Sequence, residues 1–398
     1  MKTKFTKVLS VLSILLLACG LAACQAQNQK TDSTEKSVVS SAEEQDESQN
    51  QAIETIEVTD VCDRTIILPK DVERVVITFN IEEYLAVSGK EGVDKIVGFS
   101  HKYWEGRRED AWETFTTAFP NLKDVPDVGY NENISVEKII ALNPDVVIMS
   151  QAVNYDLMET ELDRLSEAGI QVAFINYHNQ TIDMHRRSTI LLGEIMGQKE
   201  RAEEIADFYE KQMNLVTDRI KTLGPDTPKP KVYMEFSRGV NTYGNSWSNK
   251  MWGALIKTCG GENIAANLSE GNSVDVAPEQ VIASNPDIVI FTASPQTDID
   301  DNIVLGYGAD KQKALKVLEA YQNRDGWNSL NAVKNKRMSA LYHDLSRHIF
   351  DFAGTQFVAK QIHPELFEDV NPEENLQVFF EKYMPVELEG VWTISLDE

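Results

Sequence analysis

The sequence predicts an α/β protein of two lobes, each with a mainly parallel sheet, joined by one long helix. Three observations support this fold class. A long amphipathic stretch lies near the middle of the chain, a similar phrase of residues occurs once on each side of it, and short apolar strands alternate with helices in both halves.

The amphipathic stretch runs from Gly197 to Gly224. At about 1.5 Å per residue it predicts a helix of roughly 40 Å, long enough to cross between two lobes, and Gly224-Pro225 ends it. Its apolar residues recur at steps of three and four, as expected for one buried helical face: Ala202, Ile205, Tyr209, Met213, Val216 and Ile220.

The repeated phrase occupies residues 135–148 and 277–290. In each copy a short helix carries a glutamate at the same place, Glu137 or Glu279, and Asn-Pro-Asp then ends the helix. A run of β-branched residues follows as a buried strand. Two copies in register indicate a duplicated unit.

These elements predict an N-terminal lobe over residues 53–180, a helical segment over 181–225 that includes the connecting helix, and a C-terminal lobe over 226–398. The length beyond residue 53 is too great for one core and suits two. The tail 385–398 is assigned to no element.

The N-terminus reads as a secretory signal over residues 1–23, in which lysines precede an apolar run too short to span a membrane. The small residues that follow lead into Cys24 and resemble a bacterial lipobox, which implies cleavage before Cys24 and acylation of its sulfur. Residues 24–52 are polar and acidic, which predicts a disordered tether. We therefore expect an extracytoplasmic protein held at the cell membrane by its lipid anchor alone.

Charge and cysteine content exclude several classes of function. The formal net charge is -25. Binding to the phosphates of a nucleic acid needs clusters of basic residues, so nucleic acid is not an expected partner. Outside the signal and the lipidation site only Cys62 and Cys259 remain, one in each lobe, and two unpaired thiols are favoured over a disulfide. No CxxC or HExxH zinc motif occurs.

The order of motifs resembles the substrate-binding proteins of ABC importers for ferric siderophores, haem and cobalamin. The resemblance covers nearly all of residues 58–384. It is carried by the two Glu…Asn-Pro-Asp phrases together with these runs: Asp63-Arg64-Thr65-Ile66, Glu73-Arg74-Val75-Val76, Val128-Gly129-Tyr130, Cys259-Gly260-Gly261-Glu262-Asn263, Gly326-Trp327 and His363-Pro364-Glu365-Leu366-Phe367.

The resemblance implies two Rossmann-like lobes on a rigid helical backbone, as in periplasmic binding proteins of the siderophore and cobalamin type. It also implies a monomeric, non-enzymatic protein without a cofactor that captures a metal chelate, foremost a ferric siderophore, in the interlobe cleft. The chelate, an iron(III) complex, would pass to an ABC permease dimer with its ATPase subunits. Glu137 and Glu279 match the acids that dock such proteins on the permease.

Ligand-binding candidates are aromatic, histidine and arginine residues just past predicted strands, because strand ends in open α/β sheets line the binding crevice. Rings can stack on a chelate and guanidinium groups can bind its oxygens. The candidates are His101, Trp104, Tyr130, Tyr177, His178, Arg238, Tyr243, Trp247, Tyr342, His343 and Arg347.

Several alternatives stay open at this point. His178 and His343 could bind a metal directly, one from each lobe, or could be ordinary histidines at strand ends. Arg238 could contact ligand or form a surface ion pair. Molybdate, tungstate, haem and cobalamin remain alternative ligands. An extracellular α/β hydrolase is a remote alternative, since the chain has no G-x-S-x-G, P-loop or G-x-G-x-x-G motif.

Overall fold

The computed structural model describes residues 54–155, 159–271, 273–295 and 299–397. The predicted signal peptide, the lipidation site Cys24 and the tether lie outside these ranges. Among the described helices, none combines the length and the apolar character that crossing a membrane requires. The described chain forms two α/β lobes connected by a pair of helices, which confirms the predicted fold class.

The N-terminal lobe is built on a four-stranded parallel sheet with strand order β4-β3-β5-β6, beside a separate antiparallel hairpin of β1 and β2. All three residues of β3 and all five of β5 are buried, as expected for strands covered on both faces. The strands are β1 Thr55–Thr59, β2 Thr65–Pro69, β3 Val75–Ile77, β4 Ile96–Phe99, β5 Val146–Ser150 and β6 Gln171–Ile175. The helices are α1 Ile81–Ser88, α2 His101–Arg107, α3 Glu109–Ala118, α4 Val136–Leu142, α5 Gln151–Asn154 and α6 Glu159–Glu167.

Two antiparallel helices follow, α7 Ile182–Ile195 and α8 Lys199–Lys221. The 23 residues of α8 give a rod of about 35 Å, slightly shorter than predicted. Its N-terminal end is bonded to both lobes, because Arg201 donates to the Ala86 carbonyl of α1 and to the Tyr383 carbonyl of the C-terminal lobe, both at 2.8 Å. A long helix is therefore present over most of the predicted stretch, and its N-terminal end contacts both lobes.

The C-terminal lobe has a five-stranded sheet of order β15-β13-β11-β7-β9, parallel except for the edge strand β15. Its strands are β7 Lys231–Phe236, β8 Asn245–Trp247, β9 Glu262–Asn263, β10 Ser273–Asp275, β11 Ile288–Ala293, β12 Gly306–Tyr307, β13 Met338–Tyr342, β14 Gly390–Val391 and β15 Thr393–Ser395. Its helices are α9 Trp252–Thr258, α10 Pro278–Ser284, α11 Lys311–Tyr321, α12 Asn331–Lys334, α13 Phe352–Ile362 and α14 Pro372–Tyr383.

The two repeated phrases have the same local structure. Asn143 ends α4 and Asn285 ends α10, both in the left-handed conformation at φ 45° and 46°. The aspartate two residues later then accepts backbone hydrogen bonds from the start of the neighbouring strand. Asp145 accepts from the Arg74 amide at 2.8 Å, and Asp287 accepts from the Lys231 amide at 3.0 Å. The phrase thus sets the register between the helix and two adjacent strands in each lobe.

The structure departs from the prediction in two regions. Residues 101–118, for which the sequence predicted no helix and in which His101 and Trp104 were ligand candidates, form α2 and α3. The unassigned tail forms β14, which pairs with β12, and β15, which closes the edge of the sheet beside β13. Between them Trp392 is buried against Tyr307 and Tyr342, with ring centroids 4.9 and 5.1 Å away.

Candidate functional site

A cavity of about 530 Å³ opens between the two lobes. Tyr103, Arg107, Arg108 and Tyr130 line it from the N-terminal lobe. The C-terminal lobe contributes residues that end or follow its strands, as the crevice rule for α/β sheets predicts. They are Phe236, Arg238, Asn245, Trp247, Met251, Ser273, Ser294, His343, Asp344 and Arg347.

A second cavity, of about 630 Å³, lies on the flank of the C-terminal lobe. Its described lining residues, among them Asp300, Asp310 and Lys313, all belong to the C-terminal lobe. The smaller interlobe cavity is the better candidate site, because residues from both duplicated units converge on it.

Five of the eleven predicted ligand residues line this cleft together: Tyr130, Arg238, Trp247, His343 and Arg347. The aromatic members form two groups. Tyr130 stacks on Tyr103 with ring centroids 4.0 Å apart, and the His343 ring stacks on Trp247 at 5.7 Å. Planar ligands can therefore meet ring surfaces on both walls.

The predictions for Tyr177, Tyr342 and Trp104 are wrong, since all three side chains are fully buried. Tyr177 bonds Thr189 on α7, Oη to Oγ1, at 2.8 Å, and Trp104 lies under Arg108. Tyr342 precedes His343 at the end of β13, where successive side chains point to opposite faces of the sheet. His343 takes the cleft side and Tyr342 packs on Trp392.

Three further candidates lie away from the cavity lining. Tyr243 covers the buried guanidinium of Arg324 at 4.1 Å from its ring, and His101 packs on Trp112 with centroids 5.7 Å apart. His178 lies against Phe79 at 5.3 Å, with its Nδ1 3.4 Å from Ser150 Oγ. Each of these contacts is made within a single lobe.

The cleft also contains residues that the sequence reasoning missed, above all Arg107 and Arg108. The adjacent signal was Glu82-Glu83, two acids in an otherwise apolar stretch, because acids that become buried require a cationic partner. Met251 was also missed. Met251 (φ 48°) and Arg347 (φ 67°) hold left-handed backbone conformations, strain of a kind that concentrates at functional sites.

The floor of the cleft is an ion network across the two lobes, which we call the floor network: Glu82, Glu83, Arg108, Asp344, Arg347 and His348. Arg108 donates to both oxygens of Glu82, at 2.7 and 3.0 Å, and its Nε donates to Asp344 Oδ2 at 3.1 Å. His348 Nδ1 lies 2.8 Å from Glu83 Oε1 and 3.2 Å from Glu82 Oε2. Glu82, Glu83 and Arg108 belong to one lobe and the other three to the opposite lobe.

The charges of this network balance, three carboxylates against two guanidiniums and one imidazolium. Burial alone would raise the pKa of Asp344, but Arg108, His343 and Arg347 outweigh burial and hold that pKa below its usual range. Burial would lower the pKa of His348, but Glu82 and Glu83 raise it, which favours the charged imidazolium. Each buried charge therefore has an opposite charge beside it.

The histidine of the cleft wall behaves differently. Burial, reinforced by Arg347, lowers the pKa of His343 to about 3, so its imidazole is neutral at physiological pH. Its Nδ1 lies 3.0 Å from Thr292 Oγ1. A neutral ring can accept or donate a hydrogen bond, or bind a metal.

Among the described residues, one group of three acidic, histidine or cysteine side chains is close enough to share a metal ion: Glu82, Glu83 and His348. Arg108 already occupies both oxygens of Glu82 and His348 faces Glu83, so this group is accounted for as an ion network. It includes neither His178 nor His343, whose direct binding of metal stays a prediction. The described cysteines Cys62 and Cys259 are both free, as predicted.

Comparison with known proteins decides the family. A model of the family described as "Periplasmic binding protein" matches residues 80–344. The chain belongs to this family. A solved structure titled as the TroA-like periplasmic binding protein FepB from Veillonella parvula is 34% identical, with a TM-score of 0.82 over 86% of this chain and 99% of that chain. The resemblance recognised from the sequence motifs is thereby confirmed.

Two further relatives are less similar in sequence. An uncharacterized ABC transporter substrate-binding lipoprotein, YvrC of Bacillus subtilis, is 24% identical over 62% of this chain and 71% of its own length. The molybdate-binding protein MolA of Haemophilus influenzae is 21% identical over 82% of this chain and 90% of its own length. These relatives are binding proteins, in agreement with a binding role rather than an enzymatic one.

Proposed function

We propose that this protein captures an anionic metal chelate, foremost a ferric siderophore, in the interlobe cleft and delivers it to an ABC permease. The observation that carries the proposal is the composition of the cleft. Among the residues that the structure describes, four arginines line it, Arg107, Arg108, Arg238 and Arg347, together with one acid, Asp344. In a chain of net charge -25 this is a local excess of positive charge.

Arg238 is the clearest ligand-binding arginine on the C-terminal wall. Its guanidinium lies 5.4 Å from the centre of the Phe236 ring, and it has no acidic partner among the residues of known position. A guanidinium held over a ring and free of a carboxylate is available to bind ligand oxygens in a fork. The stacked pairs Tyr103–Tyr130 and Trp247–His343 supply flat surfaces for the aromatic part of a catecholate.

A tetrahedral oxyanion is the second candidate ligand. The same arginines and the hydroxyls of Ser273 and Ser294 can bind molybdate or tungstate, and one relative carries the name of a molybdate-binding protein. The size of the cavity favours the larger chelate, since about 530 Å³ far exceeds the volume of one small oxyanion. Haem and cobalamin remain further alternatives.

The proposed transport role involves two partners, the cell membrane and the permease. We infer that acylated Cys24 holds the protein at the outer face of the cell membrane, consistent with the lipoprotein name of the Bacillus relative. Glu137 on α4 and Glu279 on α10 are both exposed and occupy equal places in the two lobes. We propose that they bind basic residues of the permease, whose ATPase subunits drive transport.

Fluorescence titration tests the ligand assignment, since Trp247 lies in the cleft and its emission should change when the cleft fills. The panel is a ferric catecholate, a ferric hydroxamate, haemin, cobalamin and molybdate. We expect the ferric catecholate to bind most tightly. Preferential binding of molybdate would replace the siderophore assignment, and turnover of a generic ester without ligand binding would favour the hydrolase.

A further inference from the structure

Arg347 is half-buried and is held more loosely than Arg108, the buried arginine of the floor network. Its closest approach to an acid is 3.6 Å, Nη2 to Asp344 Oδ1, which is beyond hydrogen-bond distance. Its Nε is buried and has no hydrogen-bond partner in the part of the chain that the structure describes. A guanidinium with an unused donor inside a ligand cleft is ready to accept an anion.

Asp344 is the residue that connects Arg347 to the opposite lobe. Its Oδ2 accepts from Arg108 Nε at 3.1 Å, while its Oδ1 faces Arg347. Arg108 belongs to the N-terminal lobe and is fixed there by its two hydrogen bonds to Glu82. One carboxylate is therefore shared between a cation of its own lobe and a cation of the other lobe.

The surroundings of Arg347 suit an anionic oxygen. Tyr103 and Tyr130 line the same cavity from the opposite wall, and His343 lines it beside Arg347. Burial raises the pKa of Tyr130, so its phenol stays protonated and can donate a hydrogen bond. Asp344 is the sole acid among the described residues that line the cavity, so an anion at Arg347 meets one carboxylate and several donors.

We propose that Arg347 is an exchange residue, which pairs with Asp344 in the free protein and with an anionic group of the ligand in the complex. After this exchange Asp344 pairs with Arg108 alone, and the contact between the lobes tightens. This inference rests on the proposed function, since it requires the cleft to take an anionic ligand. It goes further because it names the residue that binds the negative charge of the ligand. It also links ligand binding to the contact between the lobes.

The coupling follows from electrostatics at low dielectric. Asp344 is attracted by a cation on each side, and interactions between buried charges are stronger than those in water. Once a ligand oxygen pairs with Arg347, the pull of Arg347 on Asp344 weakens and Asp344 can move closer to Arg108. A ligand that binds the tightened state better than the loose state shifts the population toward it.

The test uses the purified full chain and a ferric tris-catecholate, a trianion, with tryptophan fluorescence as the readout of affinity. In Arg347→Gln we expect the affinity to fall by about 10- to 100-fold, the range for losing hydrogen bonds to a charged group. Arg347→Lys keeps the charge without the fork and should fall in between. It also provides a measurement if the Gln variant does not fold.

Hydrogen exchange at the amide of Ile349 reports on the lobe contact, because this amide donates to Glu83 Oε1 across the lobes at 3.0 Å. In the wild type we expect the trianion to slow this exchange. In Arg347→Gln the exchange should already be slow without ligand and should not slow further. The matched control Arg238→Gln removes another cleft arginine and should weaken binding while the slowing at Ile349 persists.

The outcomes separate this inference from the proposed function. If the wild type binds the catecholate and Arg347→Gln binds it equally well, or keeps the same ligand-dependent slowing, the exchange role is wrong and the proposed function stands. If the wild type binds molybdate but none of the chelates, the chelate assignment fails. The same measurements with molybdate then decide the role of Arg347. Binding of no anion at all overturns both.

Discussion

Arg324 shows at the level of single residues why some of the predicted ligand contacts are not in the cleft. Its guanidinium donates to both oxygens of Glu235, at 2.9 and 2.8 Å, and lies 4.4 Å from the Tyr321 ring. Tyr243, predicted to bind ligand, covers this buried ion pair from the other side. Gly, Asn and Ser surround Tyr243 in the sequence and suggested an exposed loop. The sequence could not show that Glu235 and Arg324, which are far apart in the chain, form an ion pair beneath it.

We predict that Arg324→Gln lowers the free energy of unfolding by about 3–5 kcal/mol, because it leaves the buried Glu235 carboxylate without its counter-charge. Denaturant unfolding measures this change. Arg186→Gln is the matched control, since Arg186 pairs with Asp207 and Glu210 at an exposed site and should cost less than about 1 kcal/mol. If Arg324→Gln lowered the free energy of unfolding as little as the control does, the ion pair of Arg324 with Glu235 would not stabilise the fold.

We predict that the stability of the protein depends on pH through Asp110, which lies at the contact between the lobes. It lies on α3, and its Oδ2 accepts from the Tyr307 amide of β12 at 3.2 Å, while its other oxygen has no partner among the described residues. Burial raises the pKa of Asp110 to about 6. Because the folded state favours the protonated form, the stabilising contribution is complete below the unfolded pKa of 3.8 and is lost as pH rises through 6.

Asp110→Asn should therefore be more stable than the wild type at pH 7, by up to about 3 kcal/mol. This advantage should shrink as pH falls from 7 toward 4, and denaturant unfolding across that range measures it. Asp226→Asn, at an exposed loop before β7, is the control and should follow the wild-type profile. An advantage for Asp110→Asn that grows toward low pH would contradict the assignment.

At the level of secondary structure, the sequence predicted well where the signal was local and periodic. The Asn-Pro-Asp phrases, the apolar stripe of α8 and the β-branched strands depend on neighbours in sequence. The apolar runs at residues 171–175 and 231–236 predict strands with the bounds that β6 and β7 have. The tail was missed because β14 and β15 are short and are stabilised by pairing with distant strands. The helices over residues 101–118 were missed because Trp104 suggested a ligand contact, whereas Trp104 and Trp112 form the buried faces of α2 and α3.

The residues of the cleft were likewise predictable only where the signal was local in sequence. The sequence placed candidates at strand ends, and Tyr130, Arg238, Trp247, His343 and Arg347 do line one cavity. Which of two neighbours faces the cleft, such as Tyr342 or His343, depends on where the strand ends and on what packs below. Arg108 became recognisable only when the fold brought it between Glu82 and Asp344, residues far away in the chain.

The two helices of the repeated phrase carry a prediction about docking. Glu279 has no ion pair among the described residues, whereas Glu137 is bonded to Arg164 on α6 at 2.7 Å, with both side chains exposed. An exposed pair of this kind is weak enough for a permease arginine to replace Arg164. Both acids are therefore exposed, one in each lobe.

Replacing both acids, Glu137→Ala with Glu279→Ala, should leave ligand affinity unchanged and abolish uptake of the same ligand by cells. Fluorescence titration and a radiolabelled uptake assay measure the two effects. Glu203→Ala with Glu368→Ala removes equal charge from other exposed positions and should leave uptake intact. Loss of ligand affinity in the first double variant would argue against a docking role.

On the scale of the whole molecule, the lobes are connected at more than one place. Helix α8 is bonded to both, the floor network pairs Arg108 with Asp344, and α3 reaches β12 through Asp110. The last contact requires Gly306, because a side chain there would collide with the Asp110 carboxylate. A continuous helix with buried polar contacts on the cleft side resists the wide hinge motion that flexible strand connections allow.

We therefore expect the radius of gyration of the full chain to change by only a fraction of an ångström when the cleft fills. Small-angle scattering with and without a bound ferric chelate measures this change, and the hydrogen exchange at Ile349 should respond even though the shape does not. Arg108→Gln removes the buried link between the lobes, so this variant should show a larger ligand-linked decrease than the wild type. A fall of several ångströms in the wild type would mean that α8 bends or that the floor network opens in the free protein.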